Sequence, residues 1–200
     1  MSLNNLATTV VLGNLERRVG VVGPLFSGTV PRIESQCLDL WCWASVTQFV
    51  LAAFGAMKAQ CRIATEHFSC PAHPSRKCCE HSANPACNEI RPLNESLHEQ
   101  DCLERHVLVR GPLGGLKPRV EDELGSGRPI GLRLLTLGSP HFIVIAGFAK
   151  DWLYFQDPNG AGEEVVGAER FYSGLGRPFY KGCRLTNVYW TKKPIRGFKC

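Results

Sequence analysis

An α+β domain is what the sequence predicts, with helices in its first half and an antiparallel sheet in its second. Three observations carry that expectation. A core-facing stripe at helical spacing runs from Val46 to Phe54, apolar runs of strand character follow Gly127, and 20 Gly with 13 Pro in 200 residues weigh against a helical bundle. Residues 1–35 read as an extended leader or linker, because Gly, Pro and Val alternate there without a helical period. Residues 36–200 are then the folded domain.

A helix is expected to begin around Leu40 to Cys42. Val46, Phe49, Val50, Ala53 and Phe54 recur at i, i+3, i+4, i+7 and i+8, and Gly55 supplies a stop. Between Gln60 and Cys87 the pattern breaks into cysteine, histidine, proline and serine, so that segment needs covalent or metal bonds rather than apolar area. Further helices are expected over 94–104 and 118–124, the second with Pro118 suited to its first turn. Strands follow. Ile130, Leu132 and Leu134 alternate with Gly131, Arg133 and Leu135, and His141 to Ala149 is a continuous apolar run. Residues 152–156 return after a tight turn at Lys150-Asp151 as the second arm of a hairpin, and 185–191 is one more strand.

Composition narrows the function classes. The chain is 44% hydrophobic and 20% charged, enough for a packed core. No window approaches 18 consecutive apolar residues, so no membrane helix is expected. The net charge of +5 is scattered, with no basic stripe interleaved with aromatics, and nucleic acid is an unpromising partner. The first residues lack a secretory pattern, since Val10 and Val11 are soon followed by Gly13, Glu16, Arg17 and Arg18. Ten cysteines, seven of them between positions 37 and 87, suggest instead an oxidising compartment at some stage. Export without a signal peptide and the bacterial cytoplasm both stay open.

Cys42 stands where the best helix starts. Unpaired N–H groups and the positive end of the helix dipole favour an anion at such a position, and the thiolate is the nucleophilic form of cysteine. His141 heads the apolar strand after Gly138-Ser139-Pro140, which sets its ring at the mouth of the sheet. Asp157 ends the returning strand. In a hairpin the open ends of both arms meet, so Asp157 is expected beside His141, where a carboxylate orients an imidazole.

Gln36, the Cys42-Trp43-Ala44 run, His141 before Phe-Ile-Val-Ile-Ala-Gly-Phe, and an acid sixteen positions beyond it resemble the papain-like cysteine proteases. Within that family the chain is most similar to the compact bacterial group that includes plant-pathogen effector proteases. The pairs Gln60-Cys61, Cys78-Cys79 and Cys87-Asn88 and the Gly127 to Ile130 entry to the strand carry that likeness. Two residues depart from the family pattern: Asp157 stands where many relatives have Asn, and Pro140 replaces a glycine often found before the histidine. The resemblance implies a papain-like fold and a cysteine endopeptidase acting as a monomer on a protein or peptide substrate, without metal or organic cofactor. It also implies the roles: Cys42 as nucleophile, His141 as proton carrier, Asp157 as its orienter, and Gln36 with the Cys42 N–H as oxyanion hole.

Two rival readings accompany this one. The same Cys–His–Asp order serves transglutaminase-like acyltransferases and deamidases, and a disulfide between Cys37 and Cys42 would leave only a stapled binding module. The remaining cysteines read as disulfides within 61–87. The alternative is a zinc site drawing on Cys70, Cys78, Cys79 and Cys87 with His67, His73 and His81, whose spacings lack the paired two-residue gap of zinc sites. An odd thiol is left once Cys42 is set aside, and Cys200 is the expected one.

Overall fold

A computed structural model of the chain describes residues 31–68, 77–80, 85–135, 139–160, 162–173 and 182–195. Three helices come first: α1 (Cys42–Ala53), α2 (Gln60–Phe68) and α3 (Leu93–Glu99). They are followed by β1 (Leu103–Leu108), α4 (Lys117–Gly125), β2 (Ile130–Leu135), β3 (Pro140–Ala149), β4 (Trp152–Asp157), β5 (Gly162–Gly167), α5 (Ala168–Ser173) and β6 (Arg184–Thr191). The strands form a sheet in the order β1-β6-β2-β3-β4-β5, antiparallel at each pairing. Mixed helix and antiparallel sheet is therefore what forms. Among the described residues no helix is long and apolar enough to cross a membrane.

The sheet separates two cores. On one face Val46, Phe49 and Val50 of α1, Ile63 and Phe68 of α2 and Leu93 and Leu97 of α3 pack against Phe142, Val144 and Tyr189. On the other, Val120 and Leu124 of α4 and Phe171 of α5 cover Ile130, Leu132, Ile143, Ile145 and Trp190. The stripe that predicts α1 is its buried face, and Gly55 takes φ +81°, the left-handed value that ends a helix at little cost to glycine.

The structure corrects the expected elements in three places. Residues 60–68, expected to be irregular, form α2, whose Ile63, Ala64, His67 and Phe68 are buried one turn apart. The helix expected over 94–104 stops at Glu99. Asp101 adopts φ +53°, the N–H of Cys102 turns back to the carbonyl of Leu97 at 2.8 Å, and the chain leaves as β1. Strand β5 and helix α5 were not foreseen. Among the described residues two disulfides tie the cysteine-rich segment, Cys61–Cys79 and Cys78–Cys87. They occupy three of the four sulfurs that a zinc site would have used, and His67 bonds Glu99 at 2.7 Å. Cys70, His73, His81 and Cys200 lie outside the described residues.

Gly131 of β2 lies where Leu93 of α3 sits tightly against the sheet. A Cβ there would lie 3.0 Å from Leu93 Cδ2 and 3.3 Å from Tyr189 Cβ. Gly131→Val is expected to lower stability by about 2 kcal/mol through overpacking, read as a lower urea midpoint; an unchanged midpoint would show that α3 is not seated on this strand.

Candidate active site

The nucleophile position is built by the start of α1. Trp41 caps the helix without a side-chain hydrogen bond, and no acidic residue occupies the first turn, so the leading N–H groups are not satisfied by a local carboxylate. Two indoles fix that turn in place. Trp41 Nε1 donates to the carbonyl of Cys87 at 2.6 Å and Trp43 Nε1 to that of Glu89 at 3.0 Å, while Asn88 Oδ1 accepts the N–H of Leu40 at 3.0 Å. Trp43 is fully buried, 5.2 Å from the His67 ring and 6.3 Å from Phe68, so it packs within the helical layer.

The β3–β4 hairpin supplies the other half. Near the turn Gly147 pairs with Tyr154 and Phe148 with Leu153, but beyond Ala146 the register shifts by one, to Ile145 with Phe155 and Val144 with Gln156. Continuing that register sets Asp157 opposite Ile143, on the side of the strand that His141 shares two residues earlier. Without the bulge Asp157 would point to the opposite face. Asp157 Oδ1 lies 2.7 Å from His141 Nε2 and accepts the Asn159 N–H at 2.8 Å.

Cys42 is close enough to the His141 ring to strengthen its hold on a proton, and both line one cleft. With Nε2 on the carboxylate, the nitrogen left for sulfur is Nδ1. Burial would press the imidazole down, but the hydrogen bond to Asp157, the nearby Cys42 and the negative charge the two carry outweigh it, and its pKa is raised to about 9. Other thiols are held differently. Burial and Glu34 push Cys37 up, and burial with Asp101 pushes Cys102 up to about 12. Cys37 and Cys42 are not bonded to one another, so the stapled-module alternative loses its premise.

Gln36 reaches the same place from the segment before α1. Its N–H donates to the carbonyl of Pro158 at 2.9 Å, and its side-chain Nε2 donates to the carbonyl of Asp39 at 2.5 Å. An amide nitrogen carries two hydrogens, so one donor remains. Gln36, Asp39, Cys42, His141, Asp157 and Asn159 line one cleft of about 490 Å³. All four residues singled out from the sequence thus converge. Those missed are supports: Gln60 accepts the N–H of Cys37 and donates to the carbonyl of Ser35, and Gln156 accepts the N–H of Ile33 and donates to the carbonyl of Pro31. A glutamine gives no signal of such a role in sequence. Among the described residues no group of three or more His, Cys, Asp or Glu stands ready to hold a metal ion.

No protein-family model matches the chain, and no curated protein matches it in sequence. Among solved structures, a candidate C39-like peptidase from Bacillus anthracis superposes with a TM-score of 0.50 at 12% identity, over 84% of this chain and 96% of that one. The likeness is one of fold.

A raised imidazole pKa makes a signed prediction. The stabilisation that His141 draws from its partners is complete below its unfolded value near 6.5 and is lost as pH rises through about 9. The ring should therefore titrate near pH 9 by NMR and return toward the ordinary range in Asp157→Asn; a wild-type midpoint near 6.5 would contradict the hydrogen-bonded arrangement.

Proposed function

We propose that the protein is a cysteine peptidase that cleaves peptide bonds through Cys42, His141 and Asp157. The observation that carries this reading is the meeting, in one cleft, of a helix-start thiol and an imidazole whose far nitrogen is held by a buried carboxylate. The fold shared with a candidate C39-like peptidase is consistent with it.

In the proposed reaction His141 Nδ1 takes the proton of the Cys42 thiol, and the sulfur attacks the carbonyl carbon of the scissile bond. The tetrahedral oxyanion is met by the Cys42 N–H and the spare Gln36 Nε2 hydrogen, donors already in place before charge develops. The imidazolium then protonates the leaving amine and a thioester remains on Cys42. Water, deprotonated by His141, hydrolyses the thioester and restores the thiol. Asp157 holds the ring in the tautomer this sequence needs and stabilises its protonated form. A role as an endopeptidase exported as an effector rests on the sequence resemblance.

Casein and a mixed peptide library are the test substrates. Wild-type protein should release new termini, and Cys42→Ala should lower turnover by roughly 10⁴-fold or more with its unfolding midpoint close to wild type. Incorporation of a labelled amine without cleavage would assign the thioester chemistry to an acyltransferase instead. If cleavage occurs, kcat/KM should fall on the alkaline side with an apparent pKa near 9, as the imidazolium loses its proton; a decline centred near 7 would mean that the thiolate–imidazolium pair is not the reactive form.

A further inference from the structure

A second groove, of about 400 Å³, opens off the candidate cleft and shares Ile90 and Pro140 with it. It runs between the segment leading into α3 and the helix-facing side of the sheet. Its floor is one row of side chains across four strands. Leu108 of β1 pairs with Asn187 of β6, Asn187 with Arg133 of β2, and Arg133 with Phe142 of β3. Residues directly opposite in a sheet share a face, so these four stand together.

The charge in the groove is one-sided. Arg91 is matched by Glu89 at 2.5 Å and lies over the Phe68 ring at 4.9 Å. Arg133 is held through its side chain by Thr186 Oγ1 at 3.1 Å, and among the described residues no carboxylate pairs with it. Among the described residues none that lines the groove is acidic. Beside Arg133, Asn187 is only 7% exposed and its Oδ1 is buried without a hydrogen-bond partner. A half-turn of that amide exchanges the oxygen for Nδ2, a donor. Ile90 and Leu108 stay exposed at 38% and 59% and give the groove apolar walls.

We propose that this groove is a specificity pocket for a substrate side chain bearing a carboxylate, Asp or Glu, near the scissile bond. Arg133 is its counter-charge, Asn187 its second donor, and Ile90, Leu108 and Phe142 cover its methylenes. The proposal rests on the peptidase reading of the adjoining cleft. A guanidinium of fixed geometry recognises a carboxylate through paired N–H groups, and with no carboxylate among the described residues paired to Arg133 that valence is open to substrate.

The test uses internally quenched peptides that differ only by Glu, Gln, Leu or Lys at each position flanking the cleaved bond. At one position wild-type protein should process Glu roughly tenfold faster than Gln in kcat/KM. Arg133→Met should abolish that preference, so that the Glu and Gln peptides are cleaved at equal kcat/KM, and Arg133→Lys should keep part of it. A merely structural role would lower both peptides alike. Cleavage without acidic preference at any position, or a preference indifferent to Arg133, overturns the pocket and leaves the peptidase reading intact. If no peptide is cleaved, the peptidase reading falls, and fluorescence polarisation on Cys42→Ala decides the pocket separately. Tighter retention of labelled Glu peptides than Gln peptides, lost in Cys42→Ala/Arg133→Met, supports it, and equal retention overturns it.

Discussion

The arrangement depends above all on how the first turn of α1 is pinned. A helix start presents unpaired N–H groups, and here its own side chains leave them free while neighbouring groups hold the turn rigid. The pins are the indoles of Trp41 and Trp43, which reach the carbonyls of Cys87 and Glu89, and the amide of Asn88, which accepts the N–H of Leu40. That brace is itself tethered. Cys87 is bonded to Cys78, and its neighbour Cys79 to Cys61 on α2. Those bonds tie Cys87 and its neighbours to α2, and the turn they brace lies 46 to 48 residues earlier in the chain.

A second set of restraints seats the segment that precedes α1. Gln48 and Gln60, both buried, bond one another and the backbone or side chain of residues 34–37, while Gln156 clasps residues 31–33. Buried amides of this kind are costly unless each donor and acceptor is met, and here they are met by a strand-like segment that lacks a sheet partner. Gln36 is thereby placed beside the loop that follows Asp157, to which its own N–H is bonded. Two segments 122 residues apart in the sequence thus share one wall of the cleft.

What the sequence made legible follows from the strength of each local pattern. Helix α1 and strands β2, β3, β4 and β6 carry long apolar periods, and Cys42, His141 and Asp157 stand at the ends of those elements, where side chains project into a cleft. Other features leave no such mark. Strand β1 reads Leu-Glu-Arg-His-Val-Leu and is mostly exposed at the edge of the sheet, so no alternation identifies it. Helix α2 is masked by the cysteines around it, although Ile63, Ala64 and Phe68 keep its face apolar. The bulge at Ala146 is invisible for a different reason. The run from Phe142 to Ala149 is apolar at each position, and a one-residue slip leaves no trace in a strand whose two faces are alike. The pairing of His141 with Asp157 was anticipated from the hairpin, but the device that turns the acid to the correct face was not.

The strand order has a consequence for biogenesis. β6, the last strand among the described residues, does not join an edge; it enters between β1 and β2, contributing Val188 and Tyr189 to cores on opposite faces. During synthesis the sulfur at position 42 is therefore made about 150 residues before the strand that closes the sheet around its partners, a delay on the order of ten seconds at ordinary elongation speeds. Until that late insertion the polypeptide lacks a finished scaffold, and non-local closure of this kind is slow. Until β6 inserts, a nascent chain therefore carries Cys42, His141 and Asp157 without the complete sheet that sets their spacing.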